Sequence, residues 1–371
     1  MFRDVNVQTS RLTNHNFYCT VFLLCVRNYI TIKTFVNTPL FSTPMSSFDP
    51  KHKDQEVKHL DSTLRPSNFK DYVGQETIKK NLHILLTAAK ERNATPEHIL
   101  LYGPPGLGKT TLAHLIAKEL GANLKLSSGP AIMKVGDLAA ILTNLTPGDI
   151  LFIDEIHRLN KLIEEVLYPA MESGQLDIVI GKGPSARTIQ LDLPPFTLIG
   201  ATTRISLLSS PLRSRFSGGV HRLQFYSEEE ISSIVKKSAT ILGTNIPDDA
   251  AFLIAKRSRF TPRVANYYLK RARDFAQVHK AEIDSDVVNQ SLSLLEIDEF
   301  GLGVSERMIM NAIVNTFKGG PVGLNTLAAA TGEEESTIED VVEPYLIQIG
   351  MLERTTRGRK ATEKAMNYFK Q

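Results

Sequence analysis

Gly103-Pro104-Pro105-Gly106-Leu107-Gly108-Lys109-Thr110 is the stretch on which the fold turns. It fits G-x4-G-K-[ST]. The short apolar run Ile99–Tyr102 precedes it, and Leu112, Leu115, Ile116 and Leu120 follow at helical spacing, closed by Gly121. A strand that ends in a glycine-rich turn and reopens as a helix can wrap backbone N–H groups around phosphate oxygens, and the helix N-terminus adds a favourable dipole. Gly106 and Gly108 let the loop turn inward, Lys109 reaches the β- and γ-phosphates, and the Thr110 hydroxyl is a ligand for Mg2+. Thr111 joins this nucleotide-binding set. ATP and Mg2+ are the expected cofactors.

Further along the chain, Ile150–Ile153 and Thr197–Ala201 are two more apolar runs of strand length. Short apolar strands alternating with helical patterns predict a parallel sheet covered on both faces. Leu151-Phe152-Ile153-Asp154-Glu155 delivers two carboxylates at the C-terminal edge of such a sheet, where ligands bind. Asp154 is placed to hold Mg2+, directly or through water, and Glu155 to polarise the attacking water as general base. The two motifs together predict NTP hydrolysis. Thr202-Thr203-Arg204 follows the third strand, where a polar side chain can orient the lytic water or sense the γ-phosphate. Leu212-Arg213-Ser214-Arg215-Phe216 offers an arginine able to stabilise charge on a γ-phosphoryl group in trans.

Composition sets the bounds. The chain has 371 residues, 42% of them hydrophobic, so it can fill two or three folded domains and is not disordered. No window of 18 apolar residues exists to span a bilayer, and two cysteines cannot make a disulfide scaffold. The formal net charge of +3 lies entirely in residues 1–44, which carry Arg3, Arg11, Arg27 and Lys33 against Asp4. Cys19 and Cys25 lie there too, so the body is electrically balanced and free of thiols. Residues 1–44 read as an atypical extension, with translated upstream sequence before a start at Met45, an ordered extension and a targeting segment as the three readings.

The α/β region is expected over 45–226. From 227 to 298 only helical patterns occur, opened by a Ser227/Glu230 capping box. Within it, Thr261 is expected to cap a helix whose first residue is Pro262, with Arg263 projecting from its first turn. From 299 to 371, helical runs at 305–317, 323–331 and Glu335–Ile349 precede a basic, turn-rich stretch, Met351–Lys360, and a last helix. That order predicts a winged helix-turn-helix. Arg354, Arg357, Arg359 and Lys360 crowd the ribbon, either as a solvated face or as phosphate contacts.

The order of these motifs resembles the AAA+ ATPases, a class in which Thr203 corresponds to the first sensor, Arg263 to the second and Arg215 to the arginine finger. Finer motifs resemble the RuvB family: Leu64-Arg65-Pro66, Tyr72-Val73-Gly74-Gln75, Asp154-Glu155-Ile156-His157-Arg158-Leu159, Leu167-Tyr168-Pro169-Ala170-Met171-Glu172, Gly319-Gly320-Pro321-Val322-Gly323-Leu324 and Ile338-Glu339-Asp340-Val341-Val342-Glu343-Pro344-Tyr345-Leu346. The resemblance covers about residues 60–371. It implies a bacterial, cytoplasmic ATPase that drives branch migration of Holliday junctions as a homo-hexameric ring on double-stranded DNA, with RuvA, and with the RuvC resolvase in a larger complex. It also implies Leu64 and Arg65 on the adenine side, Tyr226 and Arg263 lining the nucleotide, Glu172 near the subunit boundary, and Arg354, Arg357 and Arg359 toward DNA. Departures from the family pattern fall at Ser173, Gly174, Ile205, Ser206, Ser217 and Phe260.

Leu176–Leu191 alternates about Gly181-Lys182-Gly183-Pro184 and predicts a hairpin with Ile178, Ile180 and Ile189 on one face. It either packs on its own domain or, as the resemblance implies, docks RuvA. Three other functions fit the sequence less well. A clamp loader would end in a helical collar rather than a wing. A nucleotide-regulated DNA-binding switch needs no trans arginine. A protein-remodelling ATPase would carry an aromatic-glycine pore motif.

Overall fold

The computed structural model describes residues 63–180 and 187–370. The extension 1–44 and the hairpin tip Gly181-Lys182-Gly183-Pro184 lie outside the described residues. Five parallel strands form the main sheet: β1 (Ile99–Tyr102), β2 (Leu124–Ser128), β3 (Ile150–Asp154), β6 (Thr197–Thr202) and β7 (Val220–Arg222), in the order β2-β3-β6-β1-β7. The register sets Tyr102 beside Thr202 and Ser128 beside Asp154, so the polar ends of the strands align along one edge. The three strands expected from sequence are the three interior ones. They are buried on both faces and so read as unbroken apolar runs. Edge strands β2 and β7 are partly exposed, and their mixed sequences hide them.

Alternate residues of each strand feed opposite cores. Leu101, Phe152 and Ile199 join Leu82 of α1 (Glu76–Glu91) and Leu112 and Ile116 of α2 (Lys109–Leu120). Leu100, Leu151, Ile153 and Leu198 face the other way, against α3 (Val135–Thr143) and α4 (Lys161–Glu172). After the hairpin β4 (Gln175–Ile180) and β5 (Arg187–Asp192) comes the short helix α5 (Ser210–Ser214). In the hairpin, Ile178 pairs with Ile189 and Ile180 with Arg187, while Leu176 is buried in the second core. Ile189 is exposed.

Four helices follow: α6 (Glu228–Ile241), α7 (Asp248–Arg257), α8 (Pro262–His279) and α9 (Ser285–Leu294). Their apolar faces extend the first core, through Ile231, Val235, Ile254, Leu269 and Val288. The capping box forms: Glu230 N–H donates 3.2 Å to Ser227 Oγ, and Ser227 N–H donates 2.9 Å to Glu230 Oε2. The Thr261 cap does not form as expected. Thr261 holds the N-cap position and Pro262 the first turn, but the Thr261 hydroxyl donates 3.3 Å back to the Ser258 carbonyl. Pro262 suits the first helical position, where an N–H has no partner in the helix.

The last region has its own core, including Ile309, Ile313, Leu327, Leu346 and Ala365. Helix α10 (Val304–Asn311) runs into a π turn at Ala312–Thr316, and α11 (Leu324–Thr331) follows. Next comes one continuous helical run: α12 (Glu335–Thr337), a second π turn (Ile338–Val342) and α13 (Glu343–Gln348). Strands β8 (Leu352–Thr355) and β9 (Gly358–Ala361) pair through a two-residue turn, Thr355 opposite Gly358, before α14 (Glu363–Phe369). This is a winged helix. Phe260 lies between it and the α/β region, its ring 6.3 Å from Phe225 and 6.0 Å from Tyr345. The neighbouring Arg259 donates to Glu306 at 2.6 Å and to the Gly301 carbonyl at 3.0 Å.

Candidate functional site

The phosphate loop follows β1 and opens α2. Gly106 and Gly108 have φ of 82° and 95°, a region that disfavours side chains. A Cβ at Gly106 would stand 3.2 Å from the Cβ of Arg263, so the start of α8 lies against the loop. A Cβ at Gly108 would stand 3.1 Å from the Tyr72 hydroxyl and 3.8 Å from the Cβ of Thr111. Lys109 is 7% exposed. Its ammonium donates to the Gly103 carbonyl at 2.7 Å and the Pro104 carbonyl at 3.0 Å. Burial pushes it down to about 8, against the pull of Asp154 and Glu155, and nearby Arg263 acts in the same direction as burial. These influences bring Lys109, Asp154, Glu155 and Arg263 into one electrostatic neighbourhood.

The end of β3 supplies the carboxylates. Glu155 takes a left-handed φ of 48°, and its N–H donates 3.0 Å to Asp154 Oδ1. The Thr203 hydroxyl, at the end of β6, donates 3.2 Å to Glu155 Oε2. His157 Nδ1 is 3.2 Å from the same oxygen and 2.8 Å from Thr202 Oγ1. Burial makes His157 harder to charge, and the hydrogen bond its Nδ1 makes is the one with Thr202 Oγ1. The Thr203 hydroxyl thus holds one of the two oxygens of Glu155. His157 was quoted in the sequence only as part of a motif, because a lone histidine after a carboxylate pair has no spacing that betrays its partner.

Leu64 and Tyr226 are buried. The Tyr226 hydroxyl lies 3.3 Å from the Leu107 carbonyl, which can only accept, and 3.0 Å from the Tyr72 hydroxyl, from which it accepts. Burial pushes Tyr226 up to about 12 and Tyr72 well above its ordinary value, so both stay neutral donors. Tyr72 thus braces the loop at Gly108, a role its sequence context did not indicate. Burial lowers His114 of α2, and the charge of Arg65 adds to that effect, which places Arg65 near the loop helix.

Glu172 and Arg215 meet each other rather than the phosphate loop. Arg215 donates 2.9 Å to Glu172 Oε2 and 2.7 Å to the Pro211 carbonyl, with its guanidinium 4.5 Å from the centre of the Tyr168 ring. The pair is held at the ends of α4 and α5, presented as a unit.

On the wing the three arginines part company. Arg357 lies exposed in the turn. Arg354 is exposed and donates 2.6 Å to Glu339 Oε1, with Glu343 Oε2 3.8 Å away. Arg359 departs from the expected exposed phosphate contact. It is 7% exposed, and its Nε donates to Glu343, itself 2% exposed. Its position in β9 points inward, since β9 alternates between buried and exposed residues.

Mg2+ takes one or two protein oxygens and completes its octahedron with water and substrate phosphates. Thr110 at the start of α2 and Asp154 at the end of β3 suit that demand, since Asp154 already acts on the neighbouring Lys109. Among the described residues no group of three or more His, Cys, Asp or Glu forms a competing metal site. Nor, among them, is any helix long and apolar enough to cross a membrane.

Three family models match in series. "Holliday junction DNA helicase RuvB P-loop domain" covers residues 64–223, "RuvB AAA lid domain" 226–298 and "RuvB C-terminal winged helix domain" 299–370. Among solved structures, Thermotoga maritima RuvB, described as a Holliday junction branch migration motor, is 50% identical. The match covers 83% of this chain and 98% of that one, with a TM-score of 0.76. An alanine-to-serine mutant of the same protein is 51% identical over the same shares of the two chains, also with a TM-score of 0.76.

Proposed function

The chain belongs to the RuvB family and is an ATPase of that family, and from this premise we propose that it drives branch migration of Holliday junctions as a hexameric ring on duplex DNA, with RuvA as its junction-binding partner. The observation that carries the reading is the shared environment of Lys109, Asp154, Glu155, Thr203 and Arg263 beside the phosphate loop, together with an arginine, Arg215, held away from it.

In this reading the loop N–H groups and Lys109 bind the triphosphate, exchanging the Gly103 and Pro104 carbonyls for phosphate oxygens. Leu64, Arg65 and Tyr226 lie on the adenine side, and Thr111 extends the loop contacts. Thr110 and Asp154 hold Mg2+, which neutralises phosphate charge when bound. Glu155 takes a proton from the attacking water while Thr203 holds its other oxygen. Arg263 senses the nucleotide from the lid. Arg215, with Glu172 beside it, acts on the ATP of the adjoining subunit, which ties hydrolysis to a ring. Arg354 and Arg357 meet DNA phosphates, and Arg359 supports the ribbon from behind. Contact with phosphates alone suits a motor that must cross any sequence. The β4–β5 hairpin, with Ile189 exposed, is the docking edge for RuvA. Membership of the RuvB family supports the bacterial cytoplasm as the compartment of this work.

The deciding experiment is branch migration of a synthetic four-way junction with ATP and Mg2+, with and without RuvA. Arm exchange that needs ATP and is enhanced by RuvA is the expected result. ATP turnover with no arm exchange under either condition would reject the motor reading.

A further inference from the structure

Arg204 follows Thr203 at the end of β6, and its side chain reaches toward the winged helix while its charge still acts on His157. Its Nε donates 2.9 Å to Asp340 Oδ1 and its Nη2 donates to Asp340 Oδ2, a two-pronged contact with the π turn of the winged helix, 136 residues away in sequence. The two side chains are 36% and 39% exposed. A half-exposed ion pair adds little stability, but a bidentate guanidinium–carboxylate pair fixes orientation.

What it orients is the hydrolytic end of the site. The Arg204 N–H donates 3.0 Å to Thr202 Oγ1, and that oxygen is 2.8 Å from His157 Nδ1. In the same segment the Thr203 hydroxyl holds Glu155 Oε2 at 3.2 Å, and His157 Nδ1 lies 3.2 Å from that oxygen. On the other flank, Asp340 sits between Glu339 and Glu343, the two carboxylates that hold Arg354 and Arg359 of the wing. One helical run of the winged helix therefore grips the wing arginines with two carboxylates and the sensor segment with a third. π turns of this kind concentrate at functional sites.

We propose that Arg204 is a positioning residue for ATP hydrolysis, held by Asp340 of the winged helix so that engagement of DNA by the wing reaches Glu155. The inference rests on the reading that Arg354 meets DNA phosphates. A phosphate that draws Arg354 off Glu339 leaves that carboxylate unpaired beside Asp340. The negative potential facing Arg204 then rises, and its hold on the Thr202–Thr203 segment tightens.

The test is steady-state ATPase of the full chain with and without duplex DNA, alongside duplex binding, for wild type, Asp340→Asn, Arg204→Ala and the double variant. Each single variant is expected to lower the DNA-stimulated kcat about five- to tenfold, with KM for ATP and the Kd for duplex unchanged. The double variant is expected to be no worse than either single, because both remove one interaction. Asp340→Asn is nearly isosteric on a half-exposed side chain, and its duplex binding reports that the winged helix is folded. Losses that multiply in the double variant, or fall on KM instead of kcat, would overturn the proposal. A wild-type response to duplex that Asp340→Asn retains in full overturns it alone. A wild-type turnover indifferent to duplex removes the reading of the wing and this inference with it.

Discussion

The nucleotide site and the wing both depend on a few cations, but they hold them in opposite ways. Lys109 is buried, pushed down to about 8 by that burial, and satisfied by two carbonyls of its own loop. Those carbonyls are weak partners that a triphosphate outcompetes. Arg354 and Arg359 are instead held by carboxylates, Glu339 and Glu343, that neutralise them. The ATP site is built and waiting for charge, whereas the wing, on the proposed reading, trades one anion for another. Binding energy at the first is set by preorganisation, and at the second by exchange.

The largest expected effect tests whether the ATP site is complete within one chain. Arg215 is tied to Glu172 and Pro211, not to its own phosphate loop. Arg215→Ala should lower turnover about 10³- to 10⁵-fold while nucleotide binding persists. Mixing it with Lys109→Ala subunits should recover part of the activity, since an intact loop then meets an intact arginine. Measured turnover that stays at the level of the separate variants in every mixture would mean that Arg215 does not act across subunits. Glu155→Gln comes next, about 10²- to 10⁴-fold down in kcat with ATP still bound. Ordinary turnover in this variant would take Glu155 out of its role as base and leave Thr203 holding an oxygen for no catalytic end.

The pH dependence of ATP binding probes the burial of Lys109. Burial lowers its proton affinity in the free protein, and bound phosphates raise it again. Above about 8 the free ammonium is lost, so binding must first take up a proton. The Kd for ATP, measured by calorimetry, should be flat just below pH 8. Above it the Kd should rise by about tenfold per pH unit until the bound-state value is reached. Proton uptake on binding at pH 9 is the matching signature. A flat Kd from pH 7 to 10 would show that Lys109 stays charged and that the loop is wetter than its 7% exposure indicates.

Legibility followed burial and periodicity. The phosphate loop, the interior strands β1, β3 and β6, and the helical run from 335 to 348 were plain in the sequence, because full burial or fixed motif spacing leaves a pattern. The edge strands were not, since Leu124–Ser128 and Val220–Arg222 mix polar and apolar residues as half-covered strands do. At the site, Lys109, Asp154 and Glu155 could be assigned from local order alone. Tyr72 against Gly108, His157 against Glu155 and Arg204 against Asp340 could not. The first and third join residues more than 30 positions apart. The second depends on a backbone reversal at Glu155, whose left-handed φ no residue type announces. The Thr261 cap is a further case: the right residue occupies the right position, but its hydroxyl turns back to the Ser258 carbonyl.

The smallest effects on binding, those on the wing, separate exchange from support. Arg354→Ala should weaken duplex binding and reduce the slope of log K against log salt by about 0.9, roughly a threefold loss of contrast between about 50 and 200 mM salt. Arg359→Ala should leave that slope alone. It strands the buried Glu343 charge and should cost about 3–5 kcal/mol of winged-helix stability, read by thermal unfolding. Adding Glu343→Gln should return part of that loss, because a neutral amide needs no counter-charge. If Arg359→Ala instead flattens the salt slope while the domain melts normally, then Arg359 leaves Glu343 to meet a phosphate. Exchange would in that case extend to the buried face of the ribbon, and the contrast with the prebuilt ATP site would be sharper still.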